Sequence, residues 1–476
     1  MWTQRDQIQA YQFLRRRLVS ALVTADANHP TSPSRRLILG TILGVAGAVL
    51  ITAAFGVIGL LNPSGSADWR QGGQVILEQE TGARYVFGQD GLLHPVLNYA
   101  SARLLAGGAG DQTVTVSSKT LSGASRGAML GIPGAPDSLP AAGSLTDSVF
   151  ASCSRTPPDL PANAAPLSTV VLASAVPGGH PLALGQALLV APPGGADFLI
   201  TGGHRFRLTD RAAVAALGYE GLATVRVSDS WLSTVPAGRD LGLVDVPDAG
   251  APGPTVGGTR TTVGQVLGDG TFYVVRGDGV QPVSETEARL VLGDAANAPA
   301  YPNGRPAVVR MSFAALDGAP RSRSAGPAST SPTDYPHALP TIVSPGGNAV
   351  LCAVGDGIDQ AAVIVSGALP LPRGAQVMQV DQRTDDRVAD QVYVPPGTGT
   401  LVRERVGDGV GTATTYLITD AGMKYPVPHA DAVAALGYGG VTPRQVAGTL
   451  LALLPTGPSL DPVAARQVVR SGGGAR

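Results

Sequence analysis

Gly123-Ala124-Ser125-Arg126-Gly127 has the G-x-S-x-G spacing of a nucleophile elbow, in which a serine on a sharp strand-to-helix turn attacks a carbonyl in acyl transfer. That chemistry needs an apolar strand before the serine and a helix after it. Here VTVSSKTL precedes and GIPGAPDSLP follows, and the prolines and glycines of the second segment make no supporting helix. The segment reads as a loop. Phosphate chemistry fares no better. Lys119-Thr120 lacks the preceding glycine of a G-x-x-x-x-G-K-[ST] cradle, and Lys424 is followed by tyrosine. The six histidines (His29, His94, His180, His204, His337 and His429) are scattered, with no H-E-x-x-H and no cysteine pair at zinc spacing. His94 and His204 fall near equivalent hairpin positions where other repeats carry Pro282 and Tyr425, and they read as surface residues. No catalytic residue, metal ligand or cofactor site is expected.

Cys153 and Cys352, the only cysteines, are the remaining reactive pair, and their fate depends on which side of a membrane they occupy. Residues 37–61, LILGTILGVAGAVLITAAFGVIGLL, form an uncharged run whose helix would measure roughly 37 Å, enough to cross a hydrocarbon core of about 30 Å. It is too long and starts too late for a cleaved signal peptide. Arg15, Arg16, Arg17, Arg35 and Arg36 flank it on the N-terminal side, which orients the N-terminus to the cytosol. Both cysteines then lie outside, where oxidation is permitted, and they are expected to pair; two free buried thiols are the alternative. Gly40, Gly44 and Ala48 place small residues four apart within the span, a spacing that permits close helix packing.

Ahead of the span, Ile8, Tyr11, Leu14, Leu18, Ala21 and Leu22 share one side of a helix beside the arginines. Tyr11, Leu14, Leu18 and Leu22 are the candidate docking residues, for anionic lipid or for a partner; a flank that merely orients the span is the alternative. The formal net charge of −1, with 34 basic and 35 acidic residues, does not suggest nucleic acid as a partner. With 63 glycines and 39 prolines, about a fifth of the chain, and 44% hydrophobic residues, the exterior is composed to fold.

An internal duplication organises that exterior. Cys153 to Leu241 matches Cys352 to Leu460 in order: Pro192-Pro193-Gly194 with Pro395-Pro396-Gly397, FLITGGHRFRL (198–208) with YLITDAGMKYPV (416–427), and VAALGY at 214–219 and 433–438. Each VAALGY copy ends a short Ala-rich helix, with Gly218 or Gly437 as its left-handed cap. Upstream, YVFGQDGLLHPV (85–96) with ARLLAG (102–107) corresponds to YVVRGDGVQPV (273–283) with ARLVLG (288–293). The fold expected is α+β: a single N-terminal transmembrane helix, then an elongated extracytoplasmic region with a central β-rich core domain and four hairpin-plus-helix modules in pseudo-twofold arrangement. The boundaries drawn are 1–36 for a cytosolic head, 37–61 for the span, 62–118 for the first module, 119–172 for one core segment, 173–245 for the second module, 246–315 for the third, 316–395 for the other core segment, 396–461 for the fourth module and 462–476 for a tail.

The head QIQAYQFLRRRLVSAL (7–22), the span, the first module (84–107), GIPGAPDSLP (131–140) and the two cysteines together resemble the EccB family, the single-pass membrane subunit of the actinobacterial ESX or type VII secretion system. The resemblance covers nearly the whole chain. It implies a core domain with four repeats and a disulfide, and assembly with EccC, EccD and EccE into a hexameric translocation complex in the inner membrane, with a mycosin protease nearby. On this reading the chain is a structural scaffold of secretion. Members are sometimes described as ATPases, but no Gly-rich loop opening a helix is evident here. Cell-wall binding by the repeats is a further alternative. It would need exposed aromatics at equivalent positions, and Tyr85, Phe198, Tyr273 and Tyr416 read as core instead.

Overall fold

The computed structural model describes residues 3–25, 34–61, 68–107, 113–147, 149–157, 161, 164–173, 178–323, 331–380, 385–405 and 413–469. The tail expected at 471–476, the Asn62-Pro63-Ser64-Gly65 segment after the span and some of the 316–345 connection lie outside the described residues, as do the side chains of Arg35 and Arg36. The chain divides into two compact units, one comprising 1–71, 78–80 and 114–123, the other the remainder.

In the first unit, Gln4–Thr24 is the expected head helix. Asp6 starts it by accepting hydrogen bonds from the Thr3 N–H (3.1 Å) and hydroxyl (2.7 Å), which satisfies a donor that the helix cannot reach. Ala25 ends it in a left-handed conformation at φ 56°. Ser34–Leu61 is a second helix, and its stretch Ile38–Val57 is long and apolar enough to cross a membrane. The Thr52 hydroxyl within it donates to the Ala48 carbonyl at 2.8 Å, so that donor can enter lipid satisfied.

The second unit is mixed α and β. Its centre is a seven-stranded sheet to which both halves of the chain contribute. Val149–Arg155 and Leu167–Ala173 form an antiparallel pair, Val350–Val354 and Ala362–Ser366 form another, and the two pairs join through Val149–Arg155 against Val350–Val354. Each pair is then extended by the other half's chain: Gln391–Tyr393 pairs with Leu167–Ala173, and His180–Pro181 with Ala362–Ser366. The edge strands are short, which limits sheet-to-sheet pairing with other chains.

Around this centre, four three-stranded antiparallel meanders recur. They are Val75–Glu78, Arg84–Phe87, Leu93–Pro95; Gln186–Ala191, Phe198–Thr201, His204–Arg207; Val266–Gly268, Phe272–Arg276, Gly279–Val283; and Gly399–Glu404, Thr415–Thr419, Lys424–Val427. A helix follows each: Tyr99–Ala106, Arg211–Ala216, Glu285–Gly293 and Ala430–Ala435. In the last three, a later strand (Val225–Arg226, Val309–Arg310, Arg444–Val446) returns parallel to the first.

One pair of hydrogen bonds closes all four. The first residue or two of the third strand exchanges N–H and C=O with residues two apart on a segment beyond the helices: Leu93 with Ser125 and Gly127, Arg205 with Pro236 and Gly238, Val280 with Pro320 and Ser322, Lys424 with Pro455 and Gly457, at 2.7–3.1 Å. Without it the third strand would present an unpaired edge.

Two sequence expectations are corrected. The PPG segments are not equivalent: Pro192-Pro193-Gly194 joins the first and second strands of its meander, whereas Pro395-Pro396-Gly397 precedes the first strand of its own, Gly399–Glu404. Both glycines take φ near 70° because both segments are tight turns, and that shared local need produced the match. His204 is not a surface residue: it is 1% exposed, its Nδ1 bonded to the Gly202 carbonyl at 3.0 Å. His94 is largely covered too, between Ala128 O and Asp90, each at 2.9 Å.

Candidate docking faces, disulfide centre and clefts

The predicted docking residues share one exposed surface. Ile8, Tyr11, Leu14, Leu18 and Leu22 are 57–79% exposed along Gln4–Thr24, and Arg15, Arg16 and Arg17 are exposed beside them, Arg17 over the Phe13 ring at 5.7 Å. An apolar stripe of that length open to water is unfavourable at roughly 25 cal/mol per Å², so it calls for lipid or protein cover. Along the second helix, Gly40 and Gly44 have nothing within 4 Å of where a Cβ would stand, leaving that face open to a neighbour.

Cys153 and Cys352 form the disulfide. They are directly opposed residues of neighbouring antiparallel strands, 199 positions apart in sequence, with Cα atoms 4.0 Å apart. Both are essentially inaccessible, packed with Ala151, Val171, Val350 and Tyr393. The bond therefore pins the two halves at the one place where their hairpins meet.

The G-x-S-x-G segment is a loop, as its flanks indicated. Ser125 contributes its carbonyl to the closing bond with Leu93, and it follows a helix (Ser118–Leu121) where an elbow needs a strand. Among the described residues no group of three or more His, Cys, Asp or Glu could hold a metal ion. Tyr85 is core at 5% exposure, while Phe198, Tyr273 and Tyr416 are half-buried, a partial departure from the expectation that all four are core. Arginines stand over three of these rings: Arg126 over Tyr85 at 4.9 Å, Arg205 over Phe198 at 5.9 Å and Arg321 over Tyr273 at 4.8 Å.

The two VAALGY copies do more than cap. Gly218 (φ 76°) and Gly437 (φ 92°) take the left-handed conformation expected of them, and the tyrosine after each donates to a distant proline carbonyl: Tyr219 to Pro340 and Tyr438 to Pro140, each at 2.7 Å. Burial pushes both phenols well above the usual tyrosine range, so they stay donors. Beside Tyr438 a cleft of about 680 Å³ opens between Tyr99, Arg103, Leu139, Pro140 and Leu436.

Sequence reasoning missed two buried cations. Arg103 is 8% exposed, its Nε donating to the Ala435 carbonyl at 3.3 Å. Lys424 Nζ donates to the Leu451 and Leu454 carbonyls, both at 2.6 Å, which closes the end of the helix Gly448–Ala452. Burial, aided by Arg387 and opposed by Glu404 and Asp385, pushes the Lys424 ammonium down to about 8. That Lys424 is one of only two lysines was visible, but its burial had no sequence signal.

The family described as type VII secretion system ESX-1, transport TM domain B, matches residues 1–470. A protein named ESX-3 secretion system ATPase EccB3, from Mycolicibacterium smegmatis, is 29% identical over 96% of this chain and 89% of its own length. One named ESX-1 secretion system ATPase EccB1, from another strain of that species, is 30% identical over 97% and 94%. Among solved structures, a chain of an intact ESX-5 inner membrane complex is similar with a TM-score of 0.67 at 26% identity, covering 100% of this chain and 97% of that one. A chain of an EccB3 dimer from the ESX-3 core complex gives 0.65 at 26%, covering 83% and 99%.

Proposed function

The chain belongs to the EccB family, and from that premise we propose that it is a membrane-anchored structural component of a type VII secretion complex. Its work is position and contact. The observation that carries this is the large apolar side chains of the head helix and of Ile38–Val57, which stand exposed in the isolated chain. Each side chain there gains by being covered, in the cytosol by a subunit and in the bilayer by lipid or helix. The relatives' inner-membrane and periplasmic assemblies support a single-pass inner-membrane protein with a periplasmic portion.

The finer assignments extend the same reading. Residues 1–36 face the cytosol on the strength of the arginine asymmetry, and the region from 62 on faces outward. The four meanders are copies of one module, the first corresponding to the third and the second to the fourth, so that residues 84–241 and 272–460 are related by a rotation of roughly 180° about an axis close to the disulfide; the expected core segments, 119–172 and 316–395, contribute their sheet strands from Val149 and from Val350. EccC, EccD and EccE type subunits are the neighbours, in a hexameric complex, with a mycosin protease on the outer side.

Substituting Leu14 and Leu18 by Asp tests the proposal. The variant should still fold and insert but lose copurification with its complex from membranes in mild detergent. Retention of the full complex sinks the docking role. A cytosol-only reporter fused at the C-terminus should be silent, and activity there overturns the orientation.

A second reading, cell-wall binding, would use the part of Phe198 and Tyr273 left exposed where each ring packs on a core under an arginine. Retention of the purified chain on isolated peptidoglycan, lost on Tyr273→Ala, would favour it. For the ATPase of the relatives' names, the sequence offers no P-loop. ATP hydrolysis by the purified chain at enzyme-like rates, abolished by one point change, would replace the scaffold reading.

A further inference from the structure

ARLLAG (102–107) and ARLVLG (288–293) occupy the same place in two helices, Tyr99–Ala106 capped by Asn98 and Glu285–Gly293 capped by Ser284. Their surroundings match as well. Tyr99 N–H donates to Asp137, and Glu285 N–H to the His337 carbonyl; Tyr438 donates to Pro140, and Tyr219 to Pro340. Positions 137–140 and 337–340 therefore play the same role in the two copies.

They differ in charge at two positions: 137 is Asp, paired with Arg84 at 2.7 Å, where 337 is His, and the first helical residue is Tyr99 where the second copy has Glu285. In the second copy the Glu285 carboxylate lies 3.6 Å from Arg289, four residues on, and accepts the Leu339 N–H at 3.3 Å. In the first copy the residue at that position is Tyr99, and no carboxylate approaches Arg103 within 4.0 Å among the described residues. Arg103 is also the more buried of the two, 8% exposed against a half-exposed Arg289 side chain. The Arg103 guanidinium donates to the Ala435 carbonyl and, at 3.4 Å, to the Tyr99 hydroxyl, and its remaining arm makes no hydrogen bond among the described residues yet is not closed off from solvent, which leaves it open to an acceptor in the cleft it lines. The Leu139 N–H, counterpart of the Leu339 N–H, has no acceptor among the described residues either. Arg103 and Leu139 both line the cleft of about 680 Å³ beside Tyr438.

We propose that this cleft binds a carboxylate-bearing ligand, whose carboxylate stands between Arg103 and the Leu139 N–H as that of Glu285 stands between Arg289 and the Leu339 N–H. Arginine meets a carboxylate through two parallel donors, which gives direction as well as charge. The remaining walls, Leu139, Pro140 and Leu436 among them, are apolar, so the ligand carries its carboxylate next to small apolar groups. The site stands on the internal repeat alone and is independent of the role in secretion.

The full chain in detergent micelles is titrated calorimetrically with N-acetyl-alanyl-alanine as the free acid, with its C-terminal amide, and with butyrate. The free acid should bind, and the amide should bind about tenfold more weakly or worse. Tyr99→Glu, which supplies the internal carboxylate that the second copy has, should weaken the acid about tenfold or more with no loss of thermal stability. Arg103→Gln should do the same; if it does not fold, Tyr99→Glu still decides. A dipeptide acid tighter than butyrate identifies a peptide terminus as the source, and equal affinity a small free carboxylate. Acid and amide binding alike, no binding at millimolar concentration, or binding untouched by Tyr99→Glu overturns the proposal.

Discussion

The Tyr438 hydroxyl donates a 2.7 Å hydrogen bond to the carbonyl of Pro140, 298 residues earlier in the chain. Tyr219 makes the same bond to Pro340, 121 residues later. The two bonds run in opposite directions along the sequence and tie the helix after one meander to the segment before a central strand, so each couples a peripheral sheet to the centre. Removing the hydroxyl leaves a buried carbonyl without its partner. Tyr438→Phe and Tyr219→Phe should each destabilise the exterior by about 1–2 kcal/mol in denaturant titrations. Unchanged midpoints in both would mean that these bonds hold nothing.

Cys352→Ser should have a larger effect, about 2–5 kcal/mol, because it frees two chain halves that otherwise unfold as a closed loop. Alkylation after denaturation without reductant reports the chemistry directly. The wild type should label at no site and the variant at one, Cys153.

Gly437→Ala and Gly218→Ala separate two effects that look identical in sequence. Both glycines have positive φ, which a β-carbon disfavours by roughly 1–2 kcal/mol. At Gly218 nothing lies within 4 Å of the added carbon, whereas at Gly437 it would meet the Arg103 Nη2. The Gly437 variant should therefore lose more stability by whatever it costs to move the Arg103 arm, and equal losses would show that this arm yields freely.

Ser125→Ala should leave both secretion and stability within about 0.5 kcal/mol of wild type, since Ser125 acts through its backbone carbonyl. Loss of secretion with a normal melting curve would revive a nucleophile.

Lys424 predicts a pH dependence. Its folded value of about 8 lies below its ordinary 10.5, so between those values the unfolded chain binds more protons than the folded one and stability rises with pH. Below about pH 8 the ammonium is charged in both states and its burial penalty is constant. The melting temperature of wild type relative to Lys424→Met should thus climb between pH 8 and 10.5. A flat difference would show that the ammonium is solvated when folded, and a falling one that folding favours its charge.

Features set within a few neighbouring residues are legible in the sequence alone. The apolar run at 37–61 is long enough to cross a membrane, the head stripe repeats at helical spacing, and the Gly218 and Gly437 caps follow from the end of a helical pattern; each is fixed by local backbone and solvent chemistry. The cysteines could be paired because there were only two of them, and the structure joins them. The PPG match misled for the same reason that the caps did not. A turn motif reports a local need for φ near +70°, and that need arises at non-equivalent places.

Tertiary structure alone decided what depends on partners far along the chain. That Ser125 closes a sheet, that His204 is buried, that strands 391–393 and 180–181 cross to the other half's hairpin, and that Arg103 lacks the carboxylate its counterpart Arg289 has, are all set by contacts between residues tens to hundreds of positions apart. Such contacts leave no period or spacing in a single sequence, because hydrogen bonding and desolvation act through space and the chain between the partners is free to vary. The sequence thus determined the segments, a run long and apolar enough to cross a membrane among them; packing determined which polar groups were left needing a partner.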